Sequence, residues 1–398
     1  MSSRATKRKK LASAAATLAG DDYHAAFAIW SRERGVEIGN VTAATLPGRG
    51  LGLITTATIA KGNRMLFVPA RAMFMPDMPL LKKHKLAQAS PQAQLAFSAM
   101  AASKTPGMQI WQATWPTDED FERSLPMRWP VQVRDLLPPS IDQPLRRQEE
   151  DYRKDWLSLR DSASSGFPFD EQLFRYYWSI VNSRSFHWKP PKGRPGSMVM
   201  CPFIDYMNHG PTGTSCDILQ RPNGYEVLAE RDYESGEEVL ATYGAHPNDK
   251  LLVHYGFVLS GTIVRNIDDD VRLDQTLLPA FSTEVRKQLR DVGFLGGYAL
   301  LPASNELCFK TQVAVRAMLL TCNEWEYFMG CGEDLTEDQG KAVASFVRPL
   351  LRQFRAQAIE KLDVLQTVKF ETGLEYAVST LRTRWEQIVS AIDAFTGA

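Results

Sequence analysis

Between Cys201 and Phe257 the chain gathers most of the side chains that can do chemistry. The stretch opens with Cys201-Pro202-Phe203-Ile204-Asp205-Tyr206-Met207-Asn208-His209-Gly210. It continues through Gly236-Glu237-Glu238-Val239-Leu240-Ala241-Thr242-Tyr243-Gly244 to Leu251-Leu252-Val253-His254-Tyr255-Gly256-Phe257. Asp205, His209 and the nearby Cys201 and Cys216 are metal-ligand types, but Asp-x-x-Asn-His fits no standard ligand spacing. Asn is also a poor ligand for a soft metal, so no metal is expected. A serine hydrolase of the nucleophile-elbow kind needs Gly-x-Ser-x-Gly, which the chain lacks. Taken alone, His209 reads as a satisfied core histidine, and the aromatic residues near it as ordinary core packing.

The elements that must position these residues come in two groups of short strands. Residues 21–34 read as a short helix with Phe27 and Trp30 on one face. Val36, Ile38 and Val41 begin an extended segment, followed by a glycine-punctuated turn, Leu46-Pro47-Gly48-Arg49-Gly50-Leu51-Gly52-Leu53. Strands are expected at 53–56 and 65–69. The three glycines lack the strand-to-helix setting of a dinucleotide loop, so they read as a turn whose backbone a small ligand can approach. Residues 75–195 are polar and proline-punctuated, with helices expected at 91–102 and 170–184. Asp170 caps the second, which has Leu173, Phe174, Tyr177, Trp178 and Val181 on its apolar face. Strands are expected again at 198–204, 225–229 and 238–242. Beyond Phe257 two amphipathic helices stand out, one broken or kinked at Pro349 and the last running from Leu374 to Phe395.

Composition limits the function classes. The 398 residues carry 46 Lys+Arg and 46 Asp+Glu, a balance that argues against a dedicated nucleic-acid or membrane-surface binder. No apolar run reaches the roughly 18 residues of a membrane span. The five cysteines, at 201, 216, 308, 322 and 331, are scattered without Cys-x-x-Cys spacing, which fits reduced thiols in an intracellular protein. The opening residues carry Lys7-Arg8-Lys9-Lys10 and no acidic residue before Asp21. That bias fits a nuclear-import cluster, an organellar transit peptide or a solvated start.

The combination Gly-Arg-Gly-Leu-Gly, then Pro-x-x-Asp-x-x-Asn-His, then Tyr243-Gly and Leu-Leu-x-x-Tyr-Gly-Phe resembles the SET-domain protein methyltransferases. It is most similar to the branch with a split SET domain and a helical C-terminal domain, typified by the Rubisco large-subunit lysine methyltransferase. The resemblance covers residues 36–262 and is fainter over 263–398. It implies an α+β SET fold of short strands, with a helical insertion at about 76–196 and a helical substrate platform at 263–398. Residues 1–35 stay outside it as a basic, flexible start plus a short helix.

The resemblance further implies S-adenosylmethionine as methyl donor. Arg49, Gly50, Leu51 and Gly52 would lie along it, and Asn208 and His209 would bond its amine and adenine. Asp205 and Tyr243 belong to the same cofactor set. Arg184 matches the family's Ser-Arg-x-Phe and would help hold the cofactor. Arg49 stands where the Rubisco enzyme has an acidic residue, so a backbone contact is expected there rather than a side-chain one. Tyr243 would be the catalytic residue, with Phe186, Tyr255 and Phe257 lining the channel for a lysine. A lysine must be neutral to attack a methyl. With an unperturbed pKa of about 10.4, roughly one in a thousand is neutral near pH 7.4, and an apolar channel beside a sulfonium favours losing the proton. The expected partner is a protein substrate, with a non-histone target favoured because no Cys-rich zinc segment follows the core. The chain is expected to act as a monomer in the nucleus or cytoplasm, with no nucleic acid or membrane partner. Histidine methylation in the same fold, and an inactive SET module that binds proteins, are the alternatives.

Overall fold

The computed structural model describes residues 22–162, 170–190, 196–260, 266–336 and 338–397. The Lys7-Arg8-Lys9-Lys10 cluster lies outside the described residues. The chain divides into two compact units, one made of residues 1–121 and 149–244, the other of 122–148 and 245–398.

In the first unit, the strands are β1 (Glu37–Ile38), β2 (Val41–Leu46), β3 (Gly50–Thr55), β4 (Arg64–Pro69), β5 (Ser185–Trp188), β6 (Ser197–Met200), β7 (Asn208–His209), β8 (Asp217–Arg221), β9 (Gly224–Leu228) and β10 (Glu238–Ala241). They form sheets ordered β1-β4-β9-β8 and β2-β3-β10-β7, with β5 and β6 as a separate pair. The β2–β3 hairpin runs in register from Val41 opposite Thr55 to Leu46 opposite Gly50. Its turn places Gly48 at φ +71° and Gly50 at φ +70°, a left-handed conformation that side chains resist.

Two helices of this unit, Pro91–Ala102 and Glu171–Arg184, pack together. Proline and Ser90 start the first, and the Asp170 side chain accepts from the Leu173 N–H to cap the second. Phe174, Tyr177, Trp178, Ile180 and Val181 are buried, as an apolar face at helical spacing requires, but Leu173 is exposed. The strand expected over 198–204 stops at Met200, because Ile204–Tyr206 winds into a 3₁₀ turn entered through Phe203 at φ +72°. Strands β7 and β8 are additions to the sequence-based picture: one has two residues and the other is mostly polar.

The second unit has a core made largely by helices Asp338–Thr367 and Glu375–Thr396. Val343, Val347, Leu351, Phe354 and Leu362 recur along the first, and Leu381, Trp385, Ile388 and Ile392 along the second. Of the break or kink expected at Pro349, the break is absent: the first helix runs through that residue. Buried neighbours Val347 and Leu351 hold that turn in place, against the lost N–H bond. Residues 122–148 contribute Trp129, Val133, Leu137, Ile141 and Leu145 to the same core, and the Trp385 indole donates to the Leu136 carbonyl at 2.8 Å. The C-terminal region is also not purely helical, since β11 (Val271–Arg272), β12 (Ala299–Leu301) and β13 (Glu306–Leu307) form an antiparallel sheet. In the same unit the Arg384 side chain is fully buried and pairs with Asp249 at 2.6 Å and Asp269 at 2.7 Å.

Candidate active site

Strand β10 brings together the candidate site residues of the first unit. On one side it pairs antiparallel with β3, Glu238 opposite Ile54 and Val239 opposite Leu53. On the other it runs parallel to β7, Leu240 opposite Asn208 and Ala241 opposite His209. The glycine hairpin and the Asn-His pair, more than 150 residues apart in sequence, thus flank one short strand. Tyr243 follows two residues after that strand ends. Its backbone N–H donates to His209 Nδ1 at 3.2 Å, and its hydroxyl donates to the Met207 carbonyl at 2.8 Å. An imidazole that accepts at Nδ1 carries its proton on Nε2, which fixes the His209 tautomer. The two rings lie 5.1 Å apart.

Glu238, at the start of β10, was not singled out from the sequence. Its Oε1 accepts from Asn208 Nδ2 at 2.9 Å, and its Oε2 pairs with Arg49 Nη1 at 3.1 Å. Arg49 Nη2 also donates to the His209 carbonyl at 3.2 Å. Arg49 therefore directs its side chain to Glu238 and the Asn-His strand. Gly52 lies against this group: a Cβ there would meet Asn208 Nδ2 at 2.8 Å and Leu46 Cδ1 at 2.7 Å. At Gly50, by contrast, nothing among the described residues lies within 4 Å of where a Cβ would sit. Leu51 sits between these glycines, opposite Thr45. A glutamate two residues after a Ser-Gly turn reads as a solvated strand end, so only the three-dimensional pairing exposes its role.

Arg184 ends its helix, where a cation complements the helix dipole. Its Nη1 donates to the Asp205 carbonyl at 2.7 Å and stands 3.7 Å from Asp205 Oδ2. The buried Asp205 side chain accepts from the Trp111 indole at 2.9 Å, and its Oδ1 has no hydrogen-bond partner among the described residues. Burial pushes the Asp205 carboxyl up to about 6, against the opposing pull of Arg184 and Trp111. Burial, together with the Asp205 carboxylate, holds the Cys201 thiol well above the ordinary range and so disfavours its thiolate.

Phe186, on β5, packs its half-buried ring against Tyr225 at 5.9 Å. Tyr255 and Phe257 belong to the second unit, where their rings lie 6.3 Å apart around Gly256, the left-handed cap of helix Asn248–Tyr255. Among the described residues no His, Cys, Asp and Glu cluster suits a metal ion. A cleft of about 430 Å³ lined by Arg32, Glu37, Ile38 and Arg64 shares no residue with the groups above.

Solved structures decide the fold. Rubisco LSMT bound to AdoMet matches this chain with a TM-score of 0.59 and 15% identity, over 94% of this chain and 92% of that one. The fold is the split SET fold. No protein-family model matches the sequence. Among curated relatives, SET domain-containing protein 4 of Mus musculus is 26% identical over 357 residues, 78% of each chain. The ribosomal lysine N-methyltransferase set11 of Schizosaccharomyces pombe is 26% identical over 190 residues, 48% of this chain and 46% of its own. The actin-histidine N-methyltransferase of Canis lupus familiaris is 22% identical over 281 residues, 63% and 45% of the two chains. In this chain the hairpin, the Asn-His strand and the tyrosine are assembled by one strand, and no helix among the described residues is long and apolar enough to cross a membrane.

Proposed function

We propose that the chain is an S-adenosylmethionine-dependent protein-lysine N-methyltransferase. The observation that carries this reading is the placement of Gly50–Gly52, Asn208–His209 and Tyr243 around β10. The cofactor fits what is there. Gly50 leaves open space beside the hairpin backbone, as a small ligand lying along it requires. Asn208 and His209 offer polar groups beside that backbone, and Arg184 supplies a fixed cation.

When bound, the cofactor supplies a methyl activated on a sulfonium. The chain's own residues do the rest by positioning, which accounts for much of the rate in such a transfer. Arg49, Gly50, Leu51 and Gly52 lend backbone to the cofactor site. Asn208, His209 and Arg184 hold the polar ends, with Asp205 anchoring Arg184 through its carbonyl. Tyr243, its hydroxyl tethered to the Met207 carbonyl, orients the incoming amine. Phe186 gives the channel an apolar wall that favours a neutral lysine over a charged one, and motif alone adds Tyr255 and Phe257 to that channel. The apolar character of Phe186 favours lysine over histidine, whose imidazole would want a polar partner.

The second unit is the surface proposed to carry the protein substrate, because a lysine side chain by itself offers too little area to define a target. Lys7-Arg8-Lys9-Lys10 suits a nuclear or cytoplasmic enzyme, with an organellar transit peptide as the alternative, and the chain is proposed to act as a monomer. Calorimetric titration with S-adenosylmethionine tests the reading: saturable binding is expected. A folded chain that takes up none would return it to the class of inactive, protein-binding SET modules.

A further inference from the structure

The Asn208 amide can face a ligand with either of two chemically opposite ends, a carbonyl that accepts or an NH₂ that donates. What stands behind it decides which. Glu238 Oε1 lies 2.9 Å from the amide, and an ionised carboxylate only accepts, so the NH₂ turns to Glu238 and the carbonyl Oδ1 points away. The other carboxylate oxygen is held by Arg49 at 3.1 Å, and Arg49 is itself fixed by the His209 carbonyl at 3.2 Å. Gly52 leaves no slack, since even a Cβ there would press on Asn208 Nδ2 and come within 3.2 Å of Glu238 Oε1.

We infer that Glu238, locked by Arg49, is a positioning residue that selects the acceptor face of Asn208 and so tunes the site for the ammonium group of an amino-acid-bearing nucleoside. The inference rests on the proposed cofactor site. A cationic amine needs an acceptor, and charge-assisted hydrogen bonds are the stronger kind, so a flipped amide would present a donor to a donor. Arg49 has a further effect: it neutralises Glu238, so the carboxylate orients the amide without offering the ammonium a competing, unpaired anion.

The test compares two nucleosides by calorimetry on the full chain, wild type against Glu238→Gln. S-adenosylhomocysteine carries the amino-acid end; 5′-methylthioadenosine lacks it. A glutamine can present either donor or acceptor to Asn208, so the amide loses its fixed direction. Glu238→Gln is expected to weaken S-adenosylhomocysteine about 10-fold while leaving 5′-methylthioadenosine within about 2-fold of wild type, 10-fold being about 1.4 kcal/mol. Arg49→Gln, which unlocks Glu238 without removing it, should give a smaller loss of the same selectivity. Hydrogen exchange of the ligand-free variants should show faster exchange confined to 49–53 and 207–209. Equal weakening of both nucleosides would make Glu238 merely structural and overturn the inference, as would unchanged affinity for both. If the wild type binds neither nucleoside, the cofactor site itself is wrong, a failure distinct from that of the clamp.

Discussion

Replacing Asp205 by Asn should change how stability depends on pH, in a window the structure fixes. The Asp205 carboxyl is buried against Trp111 and Arg184, and burial raises it from 3.8 to about 6. A raised acid binds its proton more tightly in the folded state than in the unfolded one. Its contribution is therefore intact below 3.8 and lost as pH climbs through about 6. At 1.36 kcal/mol per pH unit, the gap corresponds to roughly 3 kcal/mol lost by pH 7. Asn keeps a carbonyl for the Trp111 indole and removes the ionisation. The stability of Asp205→Asn minus that of wild type should rise by roughly 2.5 kcal/mol from pH 4 to pH 7. Chemical denaturation of both proteins at several pH values, followed by tryptophan fluorescence, reads that difference. Profiles that stay parallel across the window would refute the claim that Asp205 is strained by burial.

Other expectations follow from single contacts. Tyr243→Phe removes one part-buried hydrogen bond, so its stability loss should stay near 1 kcal/mol; turnover should nevertheless drop about 10²-fold with cofactor affinity unchanged, and a single-turnover rate near wild type would contradict its catalytic role. Arg384→Met strands two buried carboxylates, Asp249 and Asp269, and should destabilise the second unit by about 3–5 kcal/mol; calorimetric unfolding that shows a change of less than 1 kcal/mol, by order of magnitude, would mean the ion group is idle. A 1–262 fragment parts Asp249 from Arg384 and bares the fully buried Leu252 and Val253, so it should aggregate on size exclusion rather than yield a free catalytic core.

Much of this was legible in the sequence because it is local. Glycine spacing marked the β2–β3 hairpin, Asp170 marked a helix start, and the Asn-His and Tyr motifs marked residues that the fold brings together beside β10. What escaped notice depends on partners distant in sequence. Glu238 acquires meaning only when β10 sets it beside Asn208 and Arg49. Arg384 reads as the solvated side of an amphipathic helix until two aspartates enclose it. Strand β7 has two residues and exists only because β10 pairs with it, so no period of alternation could announce it. Residues 122–148 look continuous with the helices around them, yet they share a core with residues 245–398. Pro349 did not end its helix, since tertiary packing overrode a strong local helix breaker.

The central claim is methyl transfer to lysine, and one measurement addresses it directly. The full chain is incubated with cell extract and radioactive S-adenosylmethionine, and the labelled band is analysed by mass spectrometry. A methylated lysine, labelled by wild type and not by Tyr243→Phe, is the predicted result. A methyl group found on histidine, or no label from a chain shown to be folded, would contradict it.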